Sequence, residues 1–71
     1  MSLRDQLDSA LECYKRERPI VKTHMMDAAN ILDYFKWDVE ASLQYCDDCN
    51  SGRYVDLIPV SREVIDIIKR L

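Results

Sequence analysis

The sequence predicts an all-α domain, a small orthogonal bundle of about four helices with a short extended segment before the last. Three observations predict it. Apolar residues recur at helical spacing in four stretches, and each stretch follows a Ser, Thr or Asp placed to cap a helix. One Gly and two Pro in 71 residues leave few of the tight turns that a sheet requires.

Ser2 opens the first helix, with Asp5 three residues on in a pattern close to a capping box. Leu3, Leu7, Ala10, Leu11 and Tyr14 then share one face up to about Glu17. Pro19 ends the helix, because the residue before a proline is pushed out of helical geometry. Lys15, Arg16, Arg18 and Lys22 gather at this end, where cations suit the helix dipole.

Thr23 caps a second helix whose stripe is Met25, Ala28, Ala29 and Leu32, widened by Ile31 and Phe35. Lys36 and Trp37 form a short connection to Asp38, the cap of the third helix. There Val39, Ser42, Leu43 and Cys46 share a face, Glu40 suits the first turn, and Asn50, Ser51 and Gly52 stop the helix. Residues 54–58 are β-prone and apolar up to Pro59, and with nothing to pair with they read as an extended segment laid over the helices. Ser61 caps the last helix, in which Val64, Ile67, Ile68 and Leu71 share a face. The expected core is Leu7, Leu11, Leu32, Val39, Leu43, Ile67 and Ile68. No repeat, low-complexity tract or linker divides the chain, so residues 1–71 form one domain.

Composition narrows the function. The chain is 48% hydrophobic and 32% charged, which is globular rather than disordered. A chain this short supplies only about 3–5 kcal/mol of net stability, little from which to carve a pre-organised active site. The expectation is therefore a protein that is not an enzyme and needs no cofactor. A net charge of −3 gives no overall electrostatic footprint for nucleic acid or anionic lipid. No apolar run approaches the roughly 20 residues that span a bilayer. No secretory signal is visible, and three cysteines are an odd number, so a reduced cytoplasmic or otherwise intracellular setting is expected.

Two stretches carry a resemblance. Ala28, Ala29, Asn30, Ile31 and Leu32 are followed by Trp37, Asp38, Val39, Glu40, Ala41, Ser42, Leu43, Gln44 and Tyr45. Together, over roughly residues 28–46, they resemble the second half of a ubiquitin-associated (UBA) domain. The matching letters are Ala28, Leu32, Val39, Glu40, Leu43 and Tyr45, with Cys46 at the last apolar place and Ser42 where that family has Ala. The resemblance implies a UBA-like helix-loop-helix core in which small residues let two helices cross closely. It also implies a protein-interaction role, with ubiquitin as the family's partner. The loop by which that family holds ubiquitin carries a glycine and an aromatic, whereas here it reads Val21, Lys22, Thr23. The partner expected is therefore another protein, with ubiquitin disfavoured.

Other constellations have plainer readings. Cys46 and Cys49 form a CxxC which, with Cys13 and His24, has the number and type of donors for tetrahedral zinc. Cys46 also falls on the apolar stripe, where a free cysteine behaves as a small hydrophobe, and no metal is expected. Asp47 and Asp48 work against a reactive thiolate between them. The alternative function is a small nucleic-acid-associated regulator, such as a helix-turn-helix-like transcription or phage accessory protein. Its recognition helix would carry Asp38, Glu40, Asp47 and Asp48 and no cation, and would repel phosphate. Six aromatics and three methionines exceed what so small a core can bury. Met25, Met26, Tyr34, Trp37 and Tyr45 are the candidate partner-binding residues, since such side chains are enriched at interfaces.

Overall fold

Four side chains start the four helices. In the computed structural model, which describes residues 2–53 and 55–71, Ser2, Thr23, Asp38 and Ser61 each stand in extended backbone one residue before a helix. Their oxygens accept from the amides of Asp5 (3.2 Å), Met26 (3.2 Å), Ala41 (3.1 Å) and Val64 (3.4 Å). Each such cap contributes about 1 kcal/mol. The helices so begun are α1 (Leu3–Glu17), α2 (His24–Tyr34), α3 (Val39–Asn50) and α4 (Arg62–Lys69), and the fold is a small all-α bundle. Among the described residues no strand forms, and no helix is long and apolar enough to cross a membrane.

Two of the helices, α1 and α2, end in left-handed backbone without a glycine. Arg18 closes α1 at φ 46°, its amide donating to Tyr14 O at 2.8 Å, just before Pro19. After α2, Lys36 (φ 55°) and Trp37 (φ 63°) are both left-handed. Two such residues in succession cost on the order of 1–2 kcal/mol each. Hydrogen bonds from Lys36 N to Asp33 O (3.1 Å) and from Trp37 N to Leu32 O (2.6 Å) hold the turn. The Trp37 ring packs against the core with the Arg4 guanidinium 3.7 Å above its centre.

α2 packs against each of the other three helices, most extensively on α1 and α4 and least on α3, while α3 lies mainly on α4. Its Ala28, Ala29 and Leu32 are fully buried. The close approach that the two alanines permit therefore serves α1 and α4 more than the α2–α3 crossing expected from the sequence. Around them lie Leu7 and Leu11 of α1, Cys46 of α3, and Val64, Ile67 and Ile68 of α4. Burial stabilises the larger aliphatic side chains by about 1.5–3 kcal/mol each before conformational entropy is counted.

Two expected core members pack at its edge. Val39 and Leu43 are only half-buried, and the inward stripe of α3 runs instead through Ser42, Cys46 and Cys49. A helical repeat defines a face but not the rotation at which packing against α4 sets it. The Ser42 hydroxyl, fully buried, donates to Asp38 O at 2.8 Å and so carries no desolvation penalty for an unpaired group.

The segment before α4 also departs from expectation. Tyr54 lies outside the described residues. Val55 and Asp56 form a turn and Leu57 a bend, with Val55 and Ile58 standing 96% and 84% exposed rather than laid over the helices. Among the described residues of this segment, only Val60 packs against the core. Asn50, at the end of α3, holds it through a reciprocal pair: Val60 N donates to Asn50 Oδ1 at 2.7 Å, and Asn50 Nδ2 donates to Val60 O at 3.1 Å. The side-chain amide thus takes the place that a neighbouring strand's peptide would occupy.

Candidate functional site

α2 buries one face and leaves another open. Along the open face His24, Asp27, Asn30, Ile31, Tyr34 and Phe35 follow one another at steps of three residues or one, so they line one side of a groove. Tyr45 of α3, residues 58–61 and Val64 of α4 supply the rest of the wall, and Lys22 stands at the entrance to α2. The groove measures about 800 Å³. From His24 to Phe35 it follows the helix for about 16 Å, at 1.5 Å per residue.

Its chemistry changes along its length. At the start of α2 the polar residues are Lys22, His24 and Asp27, with Lys22 Nζ 3.7 Å from Asp27 Oδ1. At the far end three aromatic rings meet. Phe35 lies edge-on to Tyr34 at 5.0 Å and tilted against Tyr45 at 5.4 Å. Tyr34 is 80% exposed although it belongs to this cluster, so its ring offers an uncovered surface. The Cys49 thiol, and after it burial, raises the Tyr45 hydroxyl above its ordinary pKa.

The structure gathers two of the five candidate partner-binding residues. Tyr34 and Tyr45 share the groove. Trp37 is engaged by Arg4 and the core on another side, and Met25 is packed against the core. Met26 is half-buried in the first turn of α2, outside the groove. Phe35, Ile31 and Ile58 take their place. The sequence signal for the first two was present, since both were read as widening the α2 stripe. Ile58 enters only through the return of the chain before α4.

The potential zinc donors are not brought together. His24 is exposed on the groove, whereas Cys46 and Cys49 are buried within the bundle and the Cys13 thiol donates to Glu17 Oε2 at 3.5 Å. Among the described residues no group of three or more His, Cys, Asp or Glu is placed to hold a metal ion. Burial, and then the neighbouring Cys49, raises the Cys46 thiol above its ordinary pKa, which disfavours the thiolate that redox chemistry needs.

Two of the basic residues near the end of α1 are engaged by neighbouring side chains. Lys15 reaches Asp33 at 3.6 Å, and Lys22 lies 5.1 Å from the centre of the Tyr14 ring as well as near Asp27. Exposed pairs of this kind contribute about 0.2–1 kcal/mol each. No family model, curated protein or solved structure matches the chain.

Proposed function

We propose that this chain is a protein-interaction domain without catalytic chemistry, and that it holds an apolar segment of its partner in the groove along α2. One observation carries the reading. A chain with so little core to spare leaves Tyr34 and Ile58 80% and 84% exposed at the walls of the same groove. Aromatic and aliphatic side chains converging on one open concavity fit the buried centre of an interface, where Tyr and Phe are enriched. The buried Cys46 thiol, held above its ordinary pKa, supports the absence of thiol catalysis.

A UBA-like adaptor is the finer form of this proposal. It rests on the resemblance over residues 28–46 and on the burial of Ala28 and Leu32 within it. The ubiquitin partner is not part of the proposal. Val21 and Lys22 stand in the loop where that family has its anchor, and both are exposed to water. The nucleic-acid alternative draws on residues 15–22 and on Arg62, Lys69 and Arg70, because residues 38–50 contain four acids and no cation.

The test is comparative capture from native lysate with the parent chain and with the double variant Tyr34→Ser/Ile58→Ser. Both positions are exposed, so the variant folds. A protein retained by the parent and lost with the variant is expected. The same retained proteins with both chains would overturn the groove as the binding surface.

A further inference from the structure

We infer that the groove along α2 takes a second copy of this chain, each copy seating its Ile20–Val21 loop in the groove of the other. This rests on the groove being the binding surface, and it names the occupant.

The loop between α1 and α2 is a preformed projection. Its Ile20 and Val21 are 101% and 82% exposed, two large apolar neighbours standing together in water. Single exposed aliphatics are ordinary, whereas an adjacent pair marks a place that a partner covers. Both feet of the loop are fixed. Arg18 turns the chain out of α1 at φ 46°, and Pro19 locks the φ that follows. At the other foot Lys22 lies 3.7 Å from Asp27 and 5.1 Å from the centre of the Tyr14 ring. A projection held in shape beforehand loses less entropy when it is seated.

The groove begins at Lys22, one residue beyond Val21, so projection and concavity lie side by side. A two-fold axis between them satisfies both at once, because the same patch on each copy then meets itself reversed.

The charges agree with that pairing. Lys15 and Lys22 are taken up by Asp33 and Asp27, but Arg16 and Arg18 beside the loop have no ion pair among the described residues. The groove wall has the opposite sign. Within three residues of Tyr45 and of residues 58–64 stand Asp47, Asp48, Asp56, Glu63 and Asp66, against one cation, Arg62. None of these is ion-paired among the described residues. When Ile20 and Val21 enter the groove, the two arginines therefore reach carboxylates at its rim. Each exposed pair of this kind shifts affinity by about two- to fivefold.

Sedimentation velocity of the full chain from about 10 µM to about 1 mM tests the inference. A monomer–dimer equilibrium with a midpoint on the order of 100 µM is expected, since so small an interface belongs to the weak class. Ile20→Ser/Val21→Ser and Tyr34→Ser/Ile58→Ser should each weaken it at least about tenfold. All four positions are exposed, so both variants fold, as circular dichroism would verify. Arg16→Glu/Arg18→Glu should weaken the dimer about fivefold. Mixing the two serine variants is the decisive arm, because the intact loop of one then meets the intact groove of the other. With Ile20→Ser/Val21→Ser isotope-labelled, its Ile31, Phe35 and Tyr45 amide signals should shift when Tyr34→Ser/Ile58→Ser is added.

A chain that stays monomeric to about 1 mM would overturn the inference, while the lysate capture judges the groove separately. Dimer lost with Tyr34→Ser/Ile58→Ser but kept with Ile20→Ser/Val21→Ser would give the groove another occupant and overturn the part assigned to the loop. Dimer kept with both variants would overturn both surfaces as the interface. Unmoved amide signals in the mixture would overturn the reciprocal arrangement. A monomer that sediments with phosphatidylcholine–phosphatidylserine vesicles, and ceases to with Ile20→Ser/Val21→Ser, would assign the loop to an anionic lipid surface and overturn the inference.

Discussion

The two faces of α2 do opposite things with the same eleven residues. On the buried face Ala28, Ala29 and Leu32 have no exposed surface, and two of the three are the smallest side chain that still favours a helix. On the open face His24, Asp27, Asn30, Ile31 and Tyr34 are larger, and most carry a polar atom. Small residues let backbones approach, and long ones cover area. The difference teaches that this helix is built to be packed from one side and read from the other. Its buried face should be sensitive to volume in both directions, and the exposed Tyr34 of its open face to neither.

The largest effect expected is Leu32→Ala, which should cost about 2–5 kcal/mol, comparable to the whole stability of so small a domain. Thermal melting by circular dichroism checks it, and a midpoint within a few degrees of the parent would break the contrast at its strongest point. Leu43→Ala, on the half-buried flank of α3, should cost less, about 1–2 kcal/mol.

Enlarging the same face comes next. Ala29→Leu adds volume where no surface remains, and overpacking of this kind costs about 1–3 kcal/mol. Urea titration would measure it. An unchanged midpoint would mean that α1 and α4 can move apart freely, against the close approach described above.

The groove wall offers a smaller effect. Asn50→Ala removes both hydrogen bonds to Val60, which lie in water-accessible surroundings, and should cost about 1 kcal/mol. The specific sign is faster hydrogen exchange at the Val60 amide, with the amides of Ala28 and Leu32 nearly as protected as in the parent. Unchanged exchange at Val60 would show that core packing alone holds residues 58–60.

The smallest stability effect belongs to the open face. Tyr34→Ser should shift stability by no more than about 0.5 kcal/mol, because its ring is already mostly in water. A loss above about 1.5 kcal/mol would mean that the aromatic cluster holds the fold together and is not a surface held in reserve.

How much of this was legible in the sequence depends on the range of the interaction. The caps at Ser2, Thr23, Asp38 and Ser61 were readable because a cap is a contact between residues three apart. Leu7, Leu11, Leu32, Ile67 and Ile68 were readable because periodicity marks the inward face. Val39 and Leu43 pack at the edge of the core and not at its centre, because α3 has a broad stripe of mixed sizes and its rotation depends on α4. That Trp37, a candidate partner-binding residue, also packs against the core was not readable, because the left-handed turn that seats it contains no glycine to announce it.

The sequence by itself determined the number of helices, their starting points, the absence of a spanning segment, and the segregation of charge between residues 15–22 and 38–50. All of these are properties of neighbours along the chain. Only the tertiary structure decided that Tyr34, Phe35, Tyr45 and Ile58 meet around one groove, and that Asn50 ties residue 60 beside it. A groove is the space that packed elements leave between them. Its walls come from positions up to 42 residues apart, from Lys22 to Val64, and the core packing that sets their separation is cooperative across the whole domain.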